Sequence, residues 1–271
     1  MFRTRVLTAV VLLPLFVGGM FFLPTGWWAA LLLPLVLAGA WEWAALVGFA
    51  RSGQWGFCLF VLITGVLVLL GEHYFSVVAI EQAAHWMSVA FWLVCAPLWL
   101  RFGWRVRQPL LLILTGWLLI VPTWLALLRL QAWPWLLLAV LGVVWIADSA
   151  AYFAGRTWGR RKLAPLISPG KTWEGVAGAA VAVAVYHALV WYFGFRSVTL
   201  EIGVAAALLV ACLLPLSILG DLFESWIKRQ AGVKDSGTLL PGHGGVLDRI
   251  DALTSTLPLA ALVVPWLIQR A

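Results

Sequence analysis

Long apolar runs separated by short polar stretches fill the chain, and most of them are as long as membrane-spanning helices. A helix needs about 20 predominantly apolar residues to cross the hydrocarbon core of a bilayer. Nine stretches approach or reach this length, near residues 6–23, 27–48, 55–71, 85–100, 109–129, 133–153, 174–193, 201–223 and 252–268. The pattern therefore predicts an all-α, polytopic integral membrane protein.

The composition agrees with a membrane location. Of the 271 residues, 63% are hydrophobic and 11% are charged, whereas soluble domains average about 25% charged residues. The nineteen tryptophans fit this location, because tryptophan collects at membrane–water interfaces. Three cysteines lie in apolar stretches without metal-ligand spacing, which favours buried apolar positions for them: Cys58, Cys95 and Cys212.

The first apolar run has features of both a signal peptide and a retained span. Arg3 and Arg5 precede it, as in a signal peptide. The 18 residues from Val6 to Leu23 are longer than the usual apolar region of roughly 7–15 residues, and no clear A-x-A cleavage site follows. We therefore interpret this run as the first transmembrane helix.

The distribution of basic residues predicts an orientation. With nine spans and a cytoplasmic N-terminus, fifteen of the eighteen Lys and Arg residues fall on the cytoplasmic side. Only Arg129, Arg196 and Arg270 fall outside, as the positive-inside rule requires. The net charge of +7 then reflects topology and attraction to anionic lipid, which disfavours nucleic acid as a partner.

Two polar segments, 154–173 and 224–251, stand out in the second half of the chain. They suggest a division into N-terminal and middle membrane helices (1–140) and a catalytic region (141–271) with these segments as cytoplasmic loops. Acids inside membrane helices cost roughly 2.5–3.5 kcal/mol each and usually serve a function. Seven of the eleven acids lie on or beside the two segments: Asp148, Glu174, Asp221, Glu224, Asp235, Asp248 and Asp251.

The eighth predicted span leads into the second polar segment with one polar helix face. Ser217, Asp221, Glu224 and Lys228 are spaced at i, i+4, i+7 and i+11, which places them on the same side of a helix. Carboxylates that hold Mg²⁺, with Lys and Arg beside them, form the kind of site that binds phosphates. The acidic and basic residues here therefore predict a metal-phosphate site.

The first polar segment contains Gly170-Lys171-Thr172, which is similar to the end of a phosphate-binding P-loop. That motif requires glycine where Pro165 stands, and no predicted strand precedes it. We reject the P-loop interpretation. Thr172 is instead expected to cap the seventh span, with Lys171 reaching a phosphate.

The residues from Ser225 to Asp251 resemble the C-terminal motif of the phosphatidate cytidylyltransferase (CDP-diacylglycerol synthase) family. That motif reads S-x-x-K-R, four residues, K-D-x-G, then P-x-H-G-G-x-x-D-R-x-D, and this chain matches it over all 27 residues. Asp148–Phe153, Ser168–Gly175 and Gly220-Asp221 also resemble the family. The resemblance is close over 145–271, and the first 140 residues share only hydrophobic spans.

The resemblance implies a Mg²⁺-dependent, dimeric enzyme of the bacterial inner membrane with a site that faces the cytoplasm. It would transfer the cytidylyl group of CTP to phosphatidic acid, giving CDP-diacylglycerol and pyrophosphate. It also implies metal binding by Asp221 and Asp248. As hypotheses we add Asp251, Asp148 and a second cation at the metal site, and Lys228, Arg249 and His243 in catalysis. The expected substrate-binding residues are Ser168, Lys171, Arg229, Lys234, Asp235, Gly244 and Gly245.

Several alternatives stay open. A polyprenol-type lipid kinase would use CTP but release CDP, and an ion-coupled transporter would use Asp148 and Asp221 as ion ligands. Asp148 could instead join two helices by hydrogen bonds, and His243 could stabilise its loop. Arg249 could orient neighbouring acids. Glu174 lies in the first turn of a helix, where an acid is favoured in any case.

Overall fold

Helices make up most of the computed structural model, which describes residues 2–75, 78–195, 199–239 and 244–270. The helices are α1 (Phe2–Phe22), α2 (Thr25–Leu46), α3 (Arg51–Phe75), α4 (Val78–Ala90), α5 (Ala96–Phe102), α6 (Pro109–Leu130), α7 (Pro134–Trp158), α8 (Trp173–Val190), α9 (Leu200–Gln230) and α10 (Leu247–Arg270). A π-helical turn, Phe91–Cys95, joins α4 to α5, and a second, Trp191–Phe195, extends α8.

Each of the nine predicted spans corresponds to one helical segment, with ends that lie at most two residues beyond the helix, which confirms the all-α membrane architecture. Among the described residues, eight segments are long and apolar enough to cross a bilayer, from Thr25–Leu46 to Leu247–Arg270. The part of α1 from Val10 to Phe22 is also apolar. The orientation of the bundle in the membrane stays a prediction.

The helix ends differ from the expected boundaries where the chain becomes polar. Helix α7 continues to Trp158 and α9 to Gln230, so the expected loops 154–173 and 224–251 both begin with helix. The polar residues at the ends of α7 and α9 are therefore helical although they lie outside the apolar runs. Hydropathy alone therefore places the end of a span too early when the helix continues beyond the apolar layer.

A small antiparallel β-hairpin, which the sequence did not predict, occupies most of the first polar segment. Strands β1 (Lys162–Ala164) and β2 (Ser168–Thr172) pair with Lys162 opposite Thr172. The Thr172 side chain accepts a hydrogen bond from the N–H of Gly175 at 3.1 Å, which confirms it as the cap of α8. The hairpin and cap together fix Lys171 at the start of that helix.

Glu174 binds backbone groups just before the hairpin. Its carboxylate accepts hydrogen bonds from the N–H groups of Arg160 at 3.0 Å and Arg161 at 3.2 Å. The residues that lead into β1 are thereby held against the first turn of α8. These contacts favour the structural interpretation of Glu174.

Two tryptophans of α2, Trp28 and Trp43, donate hydrogen bonds to backbone carbonyls of α6 in the bundle core. Trp28 on α2 is fully buried and donates from Nε1 to the carbonyl of Leu127 on α6 at 3.2 Å. Trp43, one turn from the end of α2, donates to the carbonyl of Leu112 at 3.0 Å. A buried N–H without a partner would be costly, so these bonds fix α2 against α6.

The crossing of α9 and α10 depends on a glycine. A Cβ placed on Gly220 would lie 2.6 Å from Ser255 Oγ and 3.1 Å from Ala252 Cα. The Ser255 hydroxyl also donates to the carbonyl of Leu216 at 2.7 Å. The helices that carry most of the predicted site therefore meet at a distance that only glycine permits.

We expect Gly220→Ala to lower the thermal stability of the purified protein. Overpacking costs about 1–3 kcal/mol, which exceeds the gain of up to about 1 kcal/mol from replacing a helical glycine. Gly56→Ala is the matched control, because no atom lies within 4 Å of a Cβ at that helical glycine. Equal unfolding temperatures for the two variants would contradict the close crossing.

Candidate active site

A cavity of about 490 Å³ lies between α7, α8, α9, α10 and the β-hairpin. All four acids predicted at the metal site line it, and so do three basic residues. Its charged and polar lining is Asp148, Tyr152, Arg156, Ser168, Lys171, Thr172, Ser217, Asp221, Asp248, Arg249 and Asp251. The fold thus brings the two polar segments of the sequence to one place.

Lys171 and Asp221 form the first charged pair of the cavity. Lys171 Nζ lies 2.6 Å from Asp221 Oδ2, and Ser225 donates from its hydroxyl to Oδ1 at 3.3 Å. The Lys171 and Asp221 side chains are 24% and 33% exposed. The ion pair therefore fixes both side chains, and both remain accessible to a substrate.

Lys228 is the centre of the second charged group. Its ammonium donates to Glu224 Oε2 at 2.7 Å, one turn earlier on α9, and to Asp248 Oδ1 at 2.6 Å. Glu224 is buried, at 2% exposure. The i, i+4 spacing on α9 brings the lysine to Glu224, and the start of α10 supplies the second carboxylate.

Asp248 is held on both of its oxygens. While Oδ1 accepts from Lys228, Oδ2 accepts from the backbone N–H groups of Ser236 and Gly245, each at 2.9 Å. Gly244 has a φ of 84°, in the left-handed region that favours glycine. The loop before α10 is thus shaped to enclose this carboxylate.

Glu42 on α2 supports the same loop from the far side. This carboxylate is 4% exposed and accepts from the Ser236 hydroxyl at 2.9 Å and from the N–H groups of Val246 at 3.0 Å and Leu247 at 2.8 Å. A Cβ on Gly245 would collide with the Glu42 carboxylate. Glu42 therefore binds the N-terminus of α10, where a negative charge is favoured.

The sequence alone does not indicate a role for Glu42, because its partners lie about 200 positions away in the chain. Its position in the chain nevertheless points to a function. An acid in the middle of an apolar span is costly and usually functional, and Glu42 lies between Trp41 and Trp43 in such a span.

Among the described residues, the predicted site residues that do not line the cavity are Lys228, Arg229, Lys234, Asp235, Gly244 and Gly245. Arg229 donates from Nε to the carbonyl of Ile167 in the hairpin loop at 3.3 Å. Lys234 and Asp235 are exposed in the turn after α9. The N–H of Gly245, an expected substrate-binding residue, donates to Asp248. Their substrate-binding roles stay predictions, and His243 lies outside the described residues.

The carboxylates of the cavity suit a metal that is bound mainly by its substrate. Within the described ranges, no three His, Cys, Asp or Glu side chains are close enough to hold one ion. Mg²⁺ is commonly held by one or two carboxylates, with waters and substrate phosphates completing its shell. Asp221 and Asp248, which border the same cavity, fit that kind of site.

A cavity of carboxylates and cations at the end of apolar helices defines a polytopic membrane protein suited to phosphate-bearing substrates. A model of the cytidylyltransferase family matches residues 3–267. The chain therefore belongs to the cytidylyltransferase family.

Two curated relatives that match over nearly their full length support this assignment. The chain is 38% identical to a phosphatidate cytidylyltransferase of Pseudomonas aeruginosa, over 97% of each chain. It is 34% identical to that of Haemophilus influenzae, over 95% of this chain and 96% of the relative. It is also 36% identical to an uncharacterised protein of Escherichia coli, over 74% of this chain and 61% of the relative.

Proposed function

We propose that this protein transfers the cytidylyl group of CTP to phosphatidic acid, producing CDP-diacylglycerol and pyrophosphate. The observation that carries the proposal is the shared cavity of Asp148, Asp221, Asp248, Asp251 and Lys171. Family membership and near full-length similarity to proteins with this activity support it. The protein is accordingly a nucleotidyltransferase of phospholipid biosynthesis.

The reaction is a phosphoryl-type displacement. A phosphate oxygen of phosphatidic acid attacks the α-phosphorus of CTP and forms a new P–O bond, while the bond from that phosphorus to the β-phosphate oxygen breaks. Pyrophosphate leaves with the bonding electrons. The attacking oxygen is already anionic, so the reaction needs no strong general base. Positioning and charge neutralisation then supply most of the catalysis.

The charged side chains of the cavity divide this work. Lys171 and Arg249 line the cavity and would neutralise phosphate oxygens of CTP and of the lipid. Lys228, bound to Asp248 at 2.6 Å, orients that carboxylate and balances its charge. Asp221 and Asp248 would hold Mg²⁺, which supplies further charge neutralisation when bound. Asp251 and Asp148 line the same cavity and would contribute to this site, which would also admit a second cation.

The site belongs at a membrane surface because one substrate is a lipid. The acyl chains of phosphatidic acid would remain in the bilayer while the headgroup reaches the cavity from the side. The excess of Lys and Arg on one side of the predicted topology favours a cytoplasmic site in the inner membrane. We also propose that the protein forms a homodimer, which is what the resemblance of Ser225–Asp251 to the family motif implies.

Purified protein in detergent, supplied with phosphatidic acid, Mg²⁺ and α-labelled CTP, tests the proposal. We expect label in a chloroform-soluble lipid and an equal amount of pyrophosphate. Release of CDP without labelled lipid would favour the lipid kinase. Ion movement across vesicles without CTP consumption would favour the transporter. Either of these results would overturn the cytidylyltransferase proposal.

We expect Lys171→Gln to reduce kcat/KM for CTP by about tenfold to a hundredfold, because a hydrogen bond to a charged group contributes about 1.5–3 kcal/mol. Lys162→Gln is the matched control, since Lys162 lies on the same hairpin but does not line the cavity. Steady-state kinetics with varied CTP provide the measurement. An equal loss of kcat/KM in both variants would contradict a direct contact of Lys171 with CTP and would indicate only long-range attraction between the hairpin and the nucleotide.

A further inference from the structure

A second polar cavity, of about 370 Å³, lies beside the last turn of α9. Three arginines line it, and among the described residues its lining contains no Asp or Glu. The residues that form its charged and polar part are Arg105, Arg107, Arg229 and Gln230. A cavity that is open to solvent, with three exposed arginines and no acid among its described lining residues, is suited to an anion.

The cavity is separate from the active site although the two are close along the chain. Lys228 binds Asp248, whereas the next residue, Arg229, lines the second cavity. Successive residues of a helix point about 100° apart, so the two side chains leave α9 in different directions. Leu46, Val47 and Gly48 at the end of α2 complete the second cavity, and they are absent from the lining of the first.

The loop that carries the arginines is fixed in place. The carbonyl of Trp104 accepts hydrogen bonds from Trp99 Nε1 at 2.9 Å, from Trp226 Nε1 at 3.2 Å and from Gln230 Nε2 at 3.2 Å. Trp226 and Gln230 both belong to α9. The residue after Trp104 is therefore anchored, and Arg105 starts from a defined position beside that helix.

The local charge balance favours a phosphate. The C-termini of α2 and α9 lie beside the cavity and each contributes a partial charge of about −0.5. The N-terminus of α6 contributes about +0.5, because Arg107 precedes its first residue, Pro109, by only two positions. Three full guanidinium charges outweigh the two negative ends. Within the described part of the chain, none of the three arginines forms an ion pair.

We propose that this cavity is a second phosphate-binding site, on the same side of the membrane as the active site. Guanidinium groups bind phosphate through paired, charge-assisted hydrogen bonds, and basic pockets between membrane helices bind anionic lipid headgroups. The phosphate belongs either to the headgroup of an anionic phospholipid or to a small soluble phosphate ester. Its binding needs no turnover, so the inference is independent of the proposed reaction.

The test compares two double variants of the full-length protein. Arg105→Gln/Arg107→Gln removes two charges from the cavity. Arg51→Gln/Arg101→Gln is the matched control, because both arginines are exposed like those of the cavity but do not line it. Native mass spectrometry in detergent measures the binding of phosphatidylglycerol, and calorimetry measures that of glycerol phosphate. Thermal unfolding checks that both variants fold.

We expect the cavity variant to lose at least about tenfold more affinity than the control for one of the two probes. A selective loss for phosphatidylglycerol identifies a lipid headgroup as the occupant, and a selective loss for glycerol phosphate identifies a soluble ester. The active site is unchanged in both variants, so its own binding contributes equally. Equal affinities of the two variants for both probes would overturn the proposal.

Discussion

Asp248→Asn is expected to reduce turnover by about 10²–10³-fold, the usual cost of removing one well-placed electrostatic contact from an active site. The carboxylate accepts from Lys228 on one oxygen and from the N–H groups of Ser236 and Gly245 on the other. In the variant, an amide NH₂ must face one of these donors. The substitution also removes one of the two carboxylates that bind the Lys228 ammonium and leaves Glu224 as the other.

The measurement is the single-turnover rate with labelled CTP, together with thermal unfolding. Glu201→Gln is the control. It also replaces a carboxylate by an amide, but at the opposite, exposed end of α9. We expect the control to match the wild type. If Asp248→Asn also kept wild-type turnover, Asp248 would have to be removed from the catalytic site.

Glu42→Gln should lower both stability and kcat, although Glu42 does not line the cavity of the active site. Its two oxygens serve three donors: the Ser236 hydroxyl and the N–H groups of Val246 and Leu247. A glutamine places an NH₂ against at least one of them. A buried donor without an acceptor costs about 1–3 kcal/mol.

The effect on kcat follows from the connection between Glu42 and Asp248. Ser236 donates from its hydroxyl to Glu42 and from its N–H to Asp248, so a shift of this loop displaces the carboxylate. Misplacement by about 1 Å can cost roughly a hundredfold in rate. We therefore expect kcat to fall by about tenfold or more, with a smaller change in the KM for CTP.

A double-mutant cycle with Ser236→Ala separates positioning from general destabilisation. If Glu42 acts through Ser236, the double variant should lose less activity than the product of the two single losses. Additive effects on kcat, with no coupling, would limit Glu42 to a role in stability. Glu201→Gln again controls for the chemical change.

The hydropathy pattern predicts the membrane helices well because each helix must satisfy its own backbone in lipid. It cannot predict the β-hairpin, since Lys162 to Thr172 contains polar residues, two prolines and a glycine, a composition typical of a loop. The hairpin forms because Thr172 caps α8 and Glu174 binds the residues before β1. A two-stranded hairpin is only marginally stable by itself, so it depends on these contacts with α8.

Helical spacing in the sequence predicts most of the site residues, but it does not predict how the helices face one another. It places Asp221 and Lys228 on one face of α9, and the structure brings both to the start of α10 or the hairpin. Spacing says nothing about direction relative to other helices, so it did not predict that Arg229 lines a second cavity. Contacts between distant helices, such as Glu42 with Leu247, require the packed bundle.

The contact of Glu42 with the N-terminus of α10 bears on how related sequences should be compared. A relative that keeps the motif from Ser225 to Asp251 but has no acid at position 42 lacks the acceptor for the N–H groups of Val246 and Leu247. Such a chain needs another acceptor for these groups, or its Asp248 will be less firmly held. An intact C-terminal motif is therefore insufficient to identify an active enzyme, and position 42 should be read with it.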